Sequence, residues 1–152
     1  MNIRPATPAD VPAMMAVERH AVTAAHWKAT DYERLFAPDA ERTVLILEEK
    51  KVAGFLVARR VGPQWELENI AVAGEARRRG LGARLLGELL KQAHAAGARE
   101  IFLEVRESNR AARALYEKWA FVQSGRRKCY YHGPDEDAVL YRLAFPKTPK
   151  ND

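Results

Sequence analysis

Leu67-Glu68-Asn69-Ile70-Ala71-Val72-Ala73-Gly74-Glu75-Ala76-Arg77-Arg78-Arg79-Gly80-Leu81-Gly82-Ala83 passes from an apolar stretch, through a glycine-containing turn, into the start of a helix. A strand, a turn and a helix N-terminus in that order make an anion site. The first helical turn leaves N–H groups unpaired, and the helix dipole adds partial positive charge there. Gly80 and Gly82 let the backbone approach a phosphate without an intervening Cβ. Arg77, Arg78 and Arg79 supply charge-assisted hydrogen bonds. Arg77, Arg78, Arg79, Gly80, Leu81, Gly82 and Ala83 are therefore the candidate cradle for a phosphate-bearing group. No Gly-Lys-Ser/Thr follows, and the glycines do not match Gly-x-Gly-x-x-Gly, so the nucleoside triphosphate and dinucleotide loops are excluded. A helix start with solvated arginines is the competing reading.

Working outward, Leu85, Leu86, Leu89, Leu90 and Ala93 line one face of a helix over 83–96, which Gly97 is placed to end. Residues 67–72 read as the strand before it and 101–105 as a buried strand after it. Asn109 can cap a further helix carrying Ala112, Leu115, Tyr116 and Trp119. Residues 121–124 and 138–143 read as closing antiparallel strands. On the N-terminal side, 3–5 is a short strand. Thr7, Pro8 and Asp10 stand as N-cap, N1 and N3 of a capping box opening a helix to about residue 23. A second short helix near 30–36 follows a loop containing His26 and Trp27. Residues 43–47 and 52–58 are two strands joined by Glu49-Lys50-Lys51. The predicted order is βααβββαβαββ, one mixed α/β domain.

A chain of 152 residues with 47% hydrophobic and 30% charged residues suits one globular core. No apolar run has the length of a membrane span and no signal-peptide pattern opens the chain, so a soluble, cytoplasmic protein is expected. A net charge of +5 favours anionic partners of unspecified kind. Cys129 is the only cysteine, which excludes an intrachain disulfide. It reads as a small, partly buried residue, with a nucleophilic role as the alternative. His20, His26, His94 and His132 are too scattered to suggest a metal.

These residues carry a family resemblance. Arg77 to Gly82 resembles the Arg/Gln-x-x-Gly-x-Gly/Ala acetyl-CoA motif of the GNAT acetyltransferases, and Glu68-Asn69-Ile70-Ala71-Val72 resembles that family's fourth strand. Leu103-Glu104-Val105-Arg106-Glu107-Ser108-Asn109, then Ala114-Leu115-Tyr116-Glu117, is similar to the RimI-type branch, which acetylates ribosomal-protein alanine. So is Arg126-Arg127-Lys128-Cys129-Tyr130-Tyr131 with Glu136-Asp137-Ala138. Two departures stand out. Ala120-Phe121 replaces the usual Gly-Phe, and Ala25-His26-Trp27-Lys28 keeps the Trp without the common preceding Pro. The resemblance spans nearly the whole chain. It implies a GNAT fold: one α/β domain over 1–146, with a mixed, mostly antiparallel central sheet flanked by helices, and a short polar tail at 147–152. It further implies acetyl-CoA as co-substrate, no metal, and transfer to a protein N-terminus beginning with Ala or Ser, on a ribosomal protein. No membrane or direct nucleic-acid partner is expected, and a monomer or weak dimer is.

Acetylating an amine from a thioester requires a neutral amine, a stabilised oxyanion and a proton for the leaving thiolate. With a pKa near 8, roughly a tenth of an α-amine is neutral at pH 7; for lysine the fraction is below about 0.1%. By resemblance, Glu104 is the general base and Tyr116 the general acid. A carboxylate in an apolar strand is costly without a role; a charge at a strand's open end is the plainer alternative. For Tyr116 the alternative is a core aromatic with its hydroxyl at the rim. Glu68 is a rival base, sharing a face with Ile70 and Val72 if alternation is strict. The backbone of Ile70, Ala71 and Val72 would hold the pantetheine arm as an added strand, with Asn109 as a side-chain contact. The peptide would lie between Trp27 and the Tyr130-Tyr131 segment. Acetylation of lysine, polyamine or an antibiotic amine is the competing reaction. A basic nucleic-acid-binding domain and an inactive acetyl-CoA sensor are the readings from other classes.

Overall fold

The computed structural model describes residues 1–21, 27–74 and 80–146. Its strands and helices follow the predicted order: β1 (Asn2–Pro5), α1 (Val11–Arg19), α2 (Ala29–Glu33), β2 (Arg42–Glu48), β3 (Val52–Val61), β4 (Gln64–Val72), α3 (Leu81–Ala95), β5 (Glu100–Arg106), α4 (Arg110–Lys118), β6 (Val122–Tyr131) and β7 (Glu136–Ala144). The strands form one sheet in the order β1-β2-β3-β4-β5-β7-β6. All neighbours are antiparallel except β4 and β5.

Alternation along the strands loads both faces. Leu45, Leu47, Leu56, Leu67, Ile70, Ile101 and Leu103 pack with Leu85, Leu86 and Leu89 of α3 and with Ala112 and Tyr116 of α4. Val44, Ile46, Phe55, Val57 and Ala71 pack with Met14 and Val17 of α1 and Tyr32 of α2. The sheet therefore separates two apolar layers, α3/α4 on one face and α1/α2 on the other. β5 is half-buried: Ile101, Leu103 and Val105 are buried while Phe102, Glu104 and Arg106 are not.

Several boundaries differ from expectation, each for a local reason. α1 ends at Arg19, and residues 22–26 lie outside the described part, as does the tail at 147–152. β3 and β4 run on to Val61 and back from Gln64 around Gly62, whose φ is +60°. This hairpin end carries Arg59, Arg60 and Gln64, polar residues that conceal a strand lying beyond the core. β6 reaches Tyr131 rather than residue 124. It is an outer strand, mostly exposed and interrupted by bulges between Gln123 and Gly125 and between Arg127 and Tyr131, so no apolar alternation betrays it. Cys129 is exposed on it, with φ +51°, not partly buried. Gly97 ends α3 with φ +84°, and Asn109 caps α4, its Oδ1 accepting from the Ala112 N–H at 3.2 Å.

The capping box at Asp10 joins a larger ionic group. Asp10 accepts from the Thr7 N–H at 2.7 Å and from Arg4 Nη1 and Nη2 at 2.9 and 2.8 Å; Arg4 also reaches Glu48 at 2.8 Å. The Arg4 guanidinium holds the Asp10 carboxyl down at about 2. Its folded pKa lies below the unfolded value, so its contribution is complete above the ordinary carboxylate range and fades as pH falls from about 4 to 2. Asp10→Asn is expected to cost about 1–2 kcal/mol at neutral pH, the arginine's partial exposure keeping it at that level. Urea midpoints at pH 7 and pH 2.5 check this: the gap between the two proteins should narrow at the lower pH.

Candidate active site

β4 and β5 pair at only three positions, Gln64↔Glu100, Trp65↔Ile101 and Glu66↔Phe102. Beyond Glu66, β4 stays with β3 as far as Gly54↔Val72, and β5 stays with β7 as far as Arg106↔Ala138. The two strands diverge and a gap opens through the sheet. A bulge lies where they begin to part: Val57 pairs with Asn69 but Ala58 pairs with Leu67, leaving Glu68 as the extra residue. A bulge bends its strand and adds twist. The Ala73 N–H donates to the Ala53 carbonyl at 2.8 Å. Alternation along an antiparallel pair then turns the polar backbone of Ala71 to β3 and that of Ile70 and Val72 into the gap. Of the three peptide groups expected to hold an extended ligand, Ile70 and Val72 face the opening and Ala71 does not.

The N-terminus of α3 sits beside this gap. Gly80 caps the helix in the left-handed region, φ +73°, which favours glycine. The Gly80 carbonyl accepts the first intrahelical bond, from the Arg84 N–H at 3.1 Å. The N–H groups of Leu81, Gly82 and Ala83 precede that bond and are available to an anion. A Cβ on Gly82 would lie 3.6 Å from Leu115 and 3.9 Å from Val72. A side chain there would face α4 and β4, at ordinary contact distance. Arg77, Arg78 and Arg79 lie outside the described residues.

Glu104 and Tyr116 lie on opposite faces of the sheet, Glu104 on the part of β5 that has parted from β4. Tyr116 projects from α4 into the α3/α4 layer, 5% exposed, with Phe121 and Tyr141 at ring distances of 5.7 and 6.1 Å. Burial, and secondarily Tyr131, keeps its hydroxyl protonated well beyond the usual tyrosine range. Glu104 stands on the other face of β5, between buried Leu103 and Val105. Its Oε1 pairs with Arg127 Nε at 3.0 Å. Tyr130 lies over the Arg127 guanidinium at 5.4 Å and Tyr131 over that of Arg106 at 4.2 Å. The Tyr130 hydroxyl is raised chiefly by Glu104, which places that ring against the same carboxylate.

Glu68 does not share a face with Ile70 and Val72, because the bulge breaks the alternation at that residue. It faces β2, where Arg42 binds both its oxygens, at 2.7 and 3.2 Å. Two residues not singled out from the sequence also belong here. Glu66 lies opposite Arg59 on β4, and burial, then Glu68 and Glu104, holds its carboxyl above the usual range. Glu18 on α1 is buried, accepts from the Trp27 N–H at 2.6 Å and binds the Asn69 amide. Only the strand register and the helix packing reveal either; the mild signal for Glu18 is a carboxylate one residue after Val17 on an apolar helix face. Trp27 packs edge-on against Tyr32 at 5.5 Å, on the α1/α2 side with Glu104.

Residues 12–121 match the acetyltransferase (GNAT) family. The chain is 35% identical over 139 residues to the ribosomal protein bS18-alanine N-acetyltransferase of Escherichia coli (strain K12), covering 88% of this chain and 90% of that protein. A relative in Bacillus subtilis (strain 168) is 29% identical over 131 residues, covering 86% of this chain and 87% of that protein. The crystal structure of the Escherichia coli ribosomal-protein-S18-alanine N-acetyltransferase superposes with a TM-score of 0.87 at 30% identity, over 99% of this chain and 97% of that one. A Salmonella typhimurium protein solved with its cofactor acetyl-CoA shares the fold, at a TM-score of 0.79 and 22% identity over 100% and 98%. The chain belongs to the acetyltransferase (GNAT) family, and acetyl-CoA is its acetyl donor.

Proposed function

We propose that this chain acetylates the α-amino group of a protein N-terminus, and that the acceptor is a ribosomal protein beginning with alanine or serine. The observation that carries the reading is Glu104 beside the gap on one face of the sheet, with Tyr116 buried on the other. It is supported by the relatives named for ribosomal-protein alanine acetylation. An acceptor of that kind places the reaction in the cytoplasm; no helix among the described residues is long and apolar enough to cross a membrane.

Bound acetyl-CoA supplies an activated acetyl thioester. Ile70 and Val72 would hold its arm by main-chain hydrogen bonds, as an added strand does. The N–H groups of Leu81, Gly82 and Ala83, with Arg77, Arg78 and Arg79, would hold its phosphate end, and Asn109 would add a side-chain contact to the cofactor. An N–H directed into the gap can also bind the carbonyl oxygen as charge develops on it. Glu104 would take the amine proton directly or through water. Tyr116 returns a proton to sulfur from the opposite face. Glu68 is the weaker base candidate, since Arg42 occupies both its oxygens. Trp27, Tyr130 and Tyr131 would border the acceptor peptide.

Thiol release from acetyl-CoA, followed across peptides differing in their first residues, tests the reading, with lysine and polyamine controls. Turnover is expected with N-terminal Ala and Ser. Modification of lysine side chains or polyamines alone would overturn it. Glu104→Gln is expected to lower kcat/KM at pH 7 by no more than about a hundredfold, an α-amine needing modest help. That defect should shrink as pH rises to 8 and above, where more amine is already neutral. A pH–rate profile with a constant defect would make Glu104 an orienting group instead.

A further inference from the structure

Glu18 is a buried carboxylate with no part in the chemistry above, 4% exposed near the end of α1. Burying a carboxylate is costly unless hydrogen bonds compensate. Its bonds go to two separate parts of the site. Oε1 accepts from the main-chain N–H of Trp27 at 2.6 Å, where the chain enters α2. Oε2 accepts from the side-chain amide of Asn69, itself buried, on β4. Asn69 adjoins the extra residue of the bulge and immediately precedes Ile70, whose peptide group faces the gap. Tyr32, fully buried and edge-on to Trp27, has its hydroxyl raised by burial first and by Glu18 second. One carboxylate thus ties the segment bordering the acceptor to the strand bordering the thioester.

We infer that Glu18 is a positioning residue for the acceptor, holding Trp27 at a set distance from the β4 bulge so that the incoming amine meets the gap between Ile70 and Glu104. The inference rests on the proposed acceptor side. A carboxylate suits the task because both partners are donors and it accepts from each at once. A neutral amide in its place can keep the Trp27 bond but presents an N–H to Asn69, donor against donor. The acceptor side would then loosen while the phosphate end, on α3 and the other face, stays as it is.

The test compares steady-state constants for an alanine-starting peptide with acetyl-CoA affinity from calorimetry. Glu18→Gln is expected to raise peptide KM about tenfold, short of the roughly hundredfold that a 1 Å misplacement of reacting groups can cost. Acetyl-CoA affinity should stay within about twofold. The swapped pair, Glu18→Gln with Asn69→Asp, restores one acceptor and one donor and is expected to recover most of the peptide KM. Asn69→Ala cuts the link from the strand side in a chain that keeps Glu18, and should also raise peptide KM. An unchanged peptide KM in folded Glu18→Gln and Asn69→Ala overturns the inference. Equal losses for peptide and acetyl-CoA that the swap does not repair overturn it too, since they mark a general fold role. Wild-type turnover of the peptide decides the acceptor class separately: if the wild type modifies only another amine, the acceptor reading falls, and the same variants are measured with that amine.

Discussion

Tyr116→Phe is expected to lower kcat about a hundredfold while leaving acetyl-CoA affinity within about twofold. The ring stays where Phe121 and Tyr141 pack on it, and among the described residues no hydrogen bond holds the hydroxyl, so folding loses little. What disappears is a proton for the departing sulfur, needed only in the transition state. Because burial keeps the hydroxyl protonated past the ordinary tyrosine range, this acid stays loaded across neutral and mildly alkaline pH. The wild-type profile should therefore show no falling limb from Tyr116 below about pH 10. Thiol-release kinetics and calorimetry on the same samples check both halves. An affinity loss equal to the rate loss would mean that Tyr116 shapes the pocket and transfers nothing.

Gly54→Val is expected to cost about 3 kcal/mol, the upper part of the usual range for overpacking. A Cβ at Gly54 would stand 2.9 Å from the main-chain oxygen of Ala71, 3.4 Å from Leu85 Cδ1 and 3.5 Å from Val72 Cα. The nearest of these belongs to backbone and cannot rotate aside, so β3 and β4 must part. They would part at Ala71 and Val72, which border the gap, so weaker acetyl-CoA binding should accompany the loss of stability. For a chain of this length the penalty corresponds to a fall in Tm of about 6–12 °C. Thermal unfolding decides it: an unchanged Tm would show that the strands adapt at no cost.

The fold was readable where one element carries its own signal. The apolar stripe from Leu85 to Ala93 marks α3, Gly97 marks its end, and Asn109 marks the start of α4. The resemblance offers Glu104 and Tyr116 as candidates for the chemistry, but not their placement on opposite faces of the sheet. That relation depends on β4 and β5 separating after Glu66, and neither strand encodes the separation alone. The bulge at Glu68 has no residue signature, so strict alternation assigned Glu68 to the wrong face and hid its pairing with Arg42. Glu18 and Glu66 owe their importance to partners 51 and 38 positions away, Asn69 and Glu104, which only tertiary packing brings near. β6 was cut short because an outer strand needs no apolar alternation.

The two outer strands have a consequence for how the molecule behaves in a crowded solution. A bare sheet rim is a template onto which another chain can add a strand, the start of edge-to-edge aggregation. Here one rim, β1, is four residues long and stops at Pro5, which has no N–H to offer. The other, β6, is long, and Val122 on it is 68% exposed. Two bulges break its repeat, and Arg126, Arg127 and Lys128 would bring like charges together if two copies aligned there. The same arginines that pair with Glu104, Glu107 and Asp137 within one molecule thus discourage a second molecule from extending the sheet.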